Sequence, residues 1–217
     1  EYQGAYGYDK DYIIVGDTLA EHMVTSPFLA YSPAAKVEVK EGEVLANVML
    51  PYFGRTYGTY CGHKNTPYNR DDFDHAAAVK NGNAVYLAHK LGWIYKKFGS
   101  AYHRQYFLNA LRQIYKASAF QVEMPSAGRA AMNFQEEENR FCLNLLYASP
   151  ISRGAVEVIE DVVPLYNISC CVYTEKKISR VYLGVGKEEL PFTQRNGEVR
   201  FTVPYLHCHQ TVVLDIE

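Results

Sequence analysis

One segment, Arg55-Thr-Tyr-Gly-Thr-Tyr-Cys-Gly-His-Lys-Asn-Thr-Pro-Tyr68, holds most of the side chains that could do chemistry. Cys61 would become a nucleophile if a base such as His63, His75, His89 or His103 drew off its proton. The spacing argues against that role. A turn that exposes a catalytic thiol is usually written Gly-x-Cys-x-Gly, whereas Gly58 stands three before Cys61 and Gly62 one after it. No His-x-Glu follows to complete a triad. A cysteine-dependent amidase or amidotransferase using Cys61 is therefore the alternative, and no catalytic residue is expected. The segment suits contact better. Arg55, His63, Lys64 and Asn65 can hydrogen-bond hydroxyls while Tyr57, Tyr60 and Tyr68 stack on a sugar face. A contact between subunits or domains uses the same residue types. Arg55, Tyr57, Tyr60 and His63 are the binding residues expected.

Two other clusters invite a chemical role. In His207-Cys208-His209, a strand would turn both imidazoles to one face and the thiol to the other. Two ligands fall short of the four, or three plus water, that zinc takes, so a polar strand edge is expected and no metal. Glu136-Glu137-Glu138 offers the carboxylates a glycosidase needs. Adjacent acids in a turn splay into solvent, however, and are not held at a defined separation. No cofactor is implied.

Composition narrows the classes further. The 22 basic and 24 acidic side chains give a net charge of -2 with no basic block, so no nucleic-acid partner is expected. No apolar run approaches the roughly 20 residues of a membrane span, and Glu1-Tyr-Gln-Gly4 does not read as a signal peptide. Lacking Met, it reads as a processed terminus or a piece of a longer chain. Five cysteines without framework spacing read as reduced thiols of a cytoplasmic protein. Tyrosine is abundant, 19 of 217 residues, and most of these rings are expected between packed layers.

The elements that must position the segment follow from pattern. Asp17 to His22 reads as a short helix capped by Asp17. Lys36–Lys40 and Glu43–Leu50 read as strands, the second ended by Pro51. Tyr52 to Asp74 is polar, aromatic and rich in Gly, Thr, Asn and Asp, the composition of a long functional loop. Two runs flanking Asn81-Gly82 predict a hairpin buried on both faces. Leu91 to Lys97 predicts a short helix. A longer one runs from Ala101 to about Ala117, capped by Ser100, with Tyr102, Tyr106, Phe107, Ala110, Leu111 and Ile114 as its apolar stripe. The stretch Ala117–Met132 carries Pro125, Ser126 and Gly128 and marks a domain boundary. Short strands and turns fill the remainder, among them Glu198–Val203 with Val199, Phe201 and Val203 alternating against Arg200 and Thr202 after the turn Asn196-Gly197. That is an all-β antiparallel sandwich in size and pattern.

The order of these motifs resembles a known family. Pro51-Tyr-Phe-Gly-Arg-Thr56, the Cys-Gly-His-Lys-Asn-Thr-Pro loop, the Ala-Val-Lys-Asn-Gly-Asn hairpin, Tyr102-His-Arg104, Val158 to Tyr166 and Val199-Arg-Phe-Thr-Val-Pro204 succeed one another. The succession resembles the C-terminal part of bacterial glycoside hydrolases related to family 42 β-galactosidases and some α-L-fucosidases. The resemblance implies an α/β portion over residues 1–120, partly flavodoxin-like and similar to class I glutamine amidotransferases, followed by a β-sandwich over 121–217. It implies a catalytic barrel lying upstream, a lost nucleophile and a trimerisation domain. The expected function is a non-catalytic, oligomerising and glycan-contacting end of a glycoside hydrolase, with a homo-oligomer and a glycan as partners. A free-standing carbohydrate-binding module is a further alternative.

Overall fold

Seventeen strands stand against two α-helices among residues 1–73, 75–115 and 118–217, those that the computed structural model describes. The chain divides into two units, Glu1–Lys116 and Ala117–Glu217.

In the first unit the order is β1 (Tyr2–Ala5), β2 (Tyr12–Val15), a single 3-10 turn (Asp17–Leu19), β3 (Phe28–Leu29), β4 (Ala35–Val37), β5 (Glu43–Met49), β6 (His75–Asn81), β7 (Ala84–Leu87), α1 (Leu91–Phe98) and α2 (Ala101–Arg112). One sheet runs β3-β2-β5-β6-β7, and β1 pairs with β4. Every pairing is antiparallel. This overturns the α/β, flavodoxin-like and amidotransferase-like expectation. A parallel sheet needs a long crossover, usually a helix, between paired strands. Here β6 and β7 are joined by Gly82-Asn83 alone, no helix lies among the described residues between β5 and β6, and both described helices follow β7. The apolar runs of β5 and β6 are buried against the helices. Leu45, Ala46 and Val48 of β5 and Ala77 and Ala78 of β6 share a core with Leu91, Ile94, Tyr106 and Ala110 of the two helices. Ile13, Leu19 and Ile94 in that core are fully buried, each contributing roughly 1.5–3 kcal/mol.

The helices depart from expectation in detail. Gly99 ends α1 with φ +62, and its N–H reaches the Tyr95 carbonyl at 2.8 Å, the left-handed termination that favours glycine. Ser100 precedes α2, but its hydroxyl makes no cap; it hydrogen-bonds His103 Nδ1 at 2.7 Å. Asp17 likewise caps nothing and lies inside the 3-10 turn, which follows Gly16. The buried face of α2 consists of His103, Tyr106, Asn109 and Ala110. Tyr102, Phe107 and Leu111, expected in the apolar stripe, are 45%, 47% and 39% exposed. Helix α2 ends at Arg112 rather than near Ala117; residues 116 and 117, like Asp74 at the end of the expected loop, lie outside the described residues.

The second unit contains β8 (Phe120–Val122), β9 (Arg129–Gln135), β10 (Arg140–Leu146), β11 (Ile151–Arg153), β12 (Val156–Val158), β13 (Leu165–Tyr173), β14 (Ile178–Leu183), β15 (Phe192–Arg195), β16 (Glu198–Leu206) and β17 (His209–Ile216). Two four-stranded antiparallel sheets, β14-β17-β10-β9 and β15-β16-β13-β8, enclose one core, and β11 pairs with β12. Strand β8 lies within the stretch read as a boundary, where it pairs with β13 through Val122 and Cys170. Val199, Phe201 and Val203 of β16 are buried while Arg200 and Thr202 are exposed. Asn196 and Gly197 have φ of +52 and +76, the paired positive values of the hairpin turn that Asn-Gly favours. No described helix is long and apolar enough to cross a membrane.

Candidate functional site

The loop after β5 is positioned by the residues leading into β2. Alternation along extended chain sends Lys10 and Tyr12 one way and Asp11 the other. Lys10 Nζ donates to Asn65 Oδ1 at 3.1 Å, and the Tyr12 hydroxyl donates to the Thr66 carbonyl at 2.8 Å. Burial, then Cys61 and Tyr68, raise the Tyr12 pKa, so the hydroxyl stays a donor. Asp11 turns inward, where one carboxylate oxygen meets His89 Nε2 at 2.7 Å and the other accepts the Ala34 N–H at 2.7 Å. Two side chains thus grip the loop while the one between them anchors the strand in the core.

The loop's own hydrogen bonds complete the frame. Its two ends are stitched by Tyr52 N–H to Pro67 carbonyl at 3.1 Å and Asn69 N–H to Leu50 carbonyl at 2.7 Å. Thr56 and Thr59 exchange backbone bonds of 2.9 and 3.3 Å around Tyr57-Gly58. Arg55 closes the structure. Its guanidinium donates to the carbonyls of His63, Lys64 (2.9 Å) and Cys61 (3.4 Å). Of the four residues expected to bind, Arg55 therefore serves the loop itself. Tyr57 is fully exposed and Tyr60 72% exposed, and the His63 side chain also faces solvent. Only Arg55 and His63 are joined by a hydrogen bond, through the His63 carbonyl.

Beside the loop lies a cleft of about 120 Å³ bounded by Tyr8, Lys10, Phe53, Arg55, Lys64 and Thr66. Pockets that enclose a small ligand run to roughly 300–1,000 Å³. This one is too small to engulf a substrate, which leaves surface contact as what the loop can offer.

Three of the four histidines considered as bases for Cys61 have other partners, and the fourth, His63, meets the thiol through its carbonyl. His75 pairs with Asp72 at 2.7 Å and packs on Tyr6, His89 with Asp11, and His103 with Ser100. Burial and the neighbouring His89 lower the His103 pKa to about 4, so this imidazole is neutral at pH 7. The polar contacts of Cys61 Sγ are the carbonyls of His63 at 3.6 Å and Asn65 at 3.9 Å, acceptors that hold a thiol hydrogen and cannot remove it. His207 and Cys208 form the turn between β16 and β17, not a strand edge, with Cys208 at φ +67. Glu136, Glu137 and Glu138 are exposed in the turn after β9. Among the described residues no group of three or more His, Cys, Asp or Glu side chains is arranged to hold a metal.

The sequence reading missed two features. The Asp11–His89 pair spans 78 residues, and no local pattern announces it. The exposed aromatic rings of the helices, with Trp93, Phe98, Tyr102 and Phe107 each 43–47% exposed, are not legible from pattern, because helical spacing alone points Tyr102 and Phe107 to the core.

No protein-family model matches the chain, and no curated protein sequence does. Among solved structures the chain is similar to a glycoside hydrolase. That structure is alpha-L-fucosidase isoenzyme 2 from Paenibacillus thiaminolyticus, with a TM-score of 0.87 and 29% identity over 100% of this chain and 33% of that one. The chain spans about a third of the length of the fucosidase it matches. The likeness supports a relation to fucosidase-like glycoside hydrolases.

Proposed function

We propose that this chain is a non-catalytic part of a fucosidase-like glycoside hydrolase, the C-terminal portion of a longer cytoplasmic enzyme related to the family 42 β-galactosidases and α-L-fucosidases. It mediates assembly into a homo-oligomer and presents the 52–73 loop to a glycan, at the mouth of a neighbouring subunit's active site. The observation that carries this reading is the Arg55 clamp, which fixes the loop's backbone while Tyr57, Tyr60 and His63 project outward. Ordering these rings in advance lowers the entropic cost of contact. The exposed rings of Trp93, Phe98, Tyr102 and Phe107 support the assembly role, since aromatic residues are enriched in subunit interfaces.

Replacing Arg55 and Tyr60 by Ala tests the reading. Analytical ultracentrifugation is expected to show weaker self-association, or titration with fucosylated oligosaccharides a roughly tenfold or greater loss of affinity. Unchanged behaviour in both measurements would refute the proposal.

A further inference from the structure

Near the start of β13 and the end of β16 the alternation of side chains reverses. On one side of the reversal it is regular. Ile168, Cys170, Val172, Val199, Phe201 and Val203 lie in the core, so Ser169, Cys171, Arg200 and Thr202 belong to the opposite face. Continued alternation would send Tyr166 and Tyr205 inward. Instead Leu165 and Leu206 pack against the core, while Tyr166 is 65% and Tyr205 45% exposed. The pairing has not slipped, since Ile168 still faces Val203 and Tyr166 still faces Tyr205. The residues between these pairs explain the change. Asn167 has φ +54, a left-handed conformation that Asn tolerates better than most residues. Pro204 stands opposite and has no N–H to give the ladder. Both strands turn at this point and bring two aromatic rings onto the outer face. The rings lie 5.4 Å apart, and His207 stacks on Tyr205 at an interplanar angle of 10°.

Roughly 10 Å further along the strands, the same face forms an open groove of about 420 Å³. Its floor includes Gln121, Ser169, Cys171, Arg200 and Thr202. The Tyr173 hydroxyl donates to Gln121 Oε1 at 3.1 Å, which leaves the Gln121 amide N–H groups to donate outward. Charge on this face is balanced. Arg200 is bound to Glu198 at 2.9 and 2.6 Å, Glu123 also lines the groove, and Arg195 lines an adjoining hollow.

We propose that this outer face of the β8-β13-β16-β15 sheet binds a neutral oligosaccharide, stacked on Tyr166 and Tyr205 and hydrogen-bonded by Gln121, Ser169, Arg200 and Thr202. A row of hydroxyl-bearing rings matches paired aromatic surfaces next to mixed donors and acceptors. Balanced charge gives a polyanion no advantage. The site lies in the second unit and does not depend on the 52–73 loop.

The test is calorimetric titration of the whole chain with neutral galacto-, xylo- and gluco-oligosaccharides, and with a polygalacturonate fragment as the charged probe. At least one neutral oligosaccharide is expected to bind. Y166A combined with Y205A is expected to weaken it tenfold or more with an unchanged melting temperature, because both rings are exposed. N167V, which disfavours the left-handed turn, is expected to weaken it, and N167G to preserve it. Y57A and Y60A are expected to leave it unaltered, which separates this site from the loop. The proposal is overturned if no neutral oligosaccharide binds, if polygalacturonate binds more tightly, if the double variant binds as wild type, or if the loop variants abolish binding.

Discussion

In the first unit Asp11, Ser32, Thr66, His89, His103 and Asn109 are buried among apolar side chains, whereas the core between the two sheets of the second unit is built from Leu, Ile, Val, Phe, Tyr and Cys. The difference follows from architecture. Two sheets of alternating pattern can meet face to face with every inward position apolar. The first unit must instead tie short strands, a 3-10 turn and a long loop to one sheet and two helices, and it does so with buried polar links. Asn109 Nδ2 holds the carbonyls of Leu19 and Glu21 at 2.8 and 2.7 Å, and Asp11 holds both His89 and the Ala34 N–H. Such links fix geometry and make the unit sensitive to a lost partner or an added proton.

The strongest challenge to this contrast is Asp11→Ala. It strands His89 Nε2 and the Ala34 N–H without their acceptor, at a cost of about 1–3 kcal/mol for each group left unsatisfied. Hydrogen exchange is expected to show protection lost across the first unit and kept in the second. Equal loss in both units would break the comparison. Acid sharpens it more gently. His103 takes up a proton near pH 6.5 when unfolded but only near pH 4 when folded. The unfolded state therefore binds more protons in that window, and stability present at neutral pH falls as pH drops from about 6.5 to 4. The loss is on the order of 3 kcal/mol, and a His103→Gln variant is expected to flatten this part of the pH–stability profile. A smaller effect belongs to the second unit. Gly197→Ala puts a β-carbon where φ is +76 and is expected to cost about 1 kcal/mol, read as a modest fall in denaturation midpoint.

What the sequence disclosed depended on how local the cause was. Both hairpins were legible because the turn and its strands are contiguous, although the first turns at Gly82-Asn83 and leaves Ala84 and Tyr86 of β7 exposed instead of burying both faces, and the alternation of Val199, Phe201 and Val203 carried the burial of β16. Strand direction in the first unit was legible only at the β6–β7 hairpin. No local pattern marks the direction of the other strands, and the family resemblance led to an α/β expectation that the antiparallel sheet overturns. In the loop, composition pointed to Arg55, Tyr57, Tyr60 and His63, yet it could not show that Arg55 spends its guanidinium on three main-chain carbonyls six to nine residues away. The reversal at Asn167 and Pro204 was equally hidden, because a period-two pattern has no term for a residue at positive φ.

The Arg55 clamp has a consequence for how this segment can change over generations. Its acceptors are peptide oxygens, which every amino acid supplies, so the scaffold places few demands on the identities of residues 57–63. Selection can swap the side chains at the tip and retune what they touch, without having to reinvent the bend that displays them.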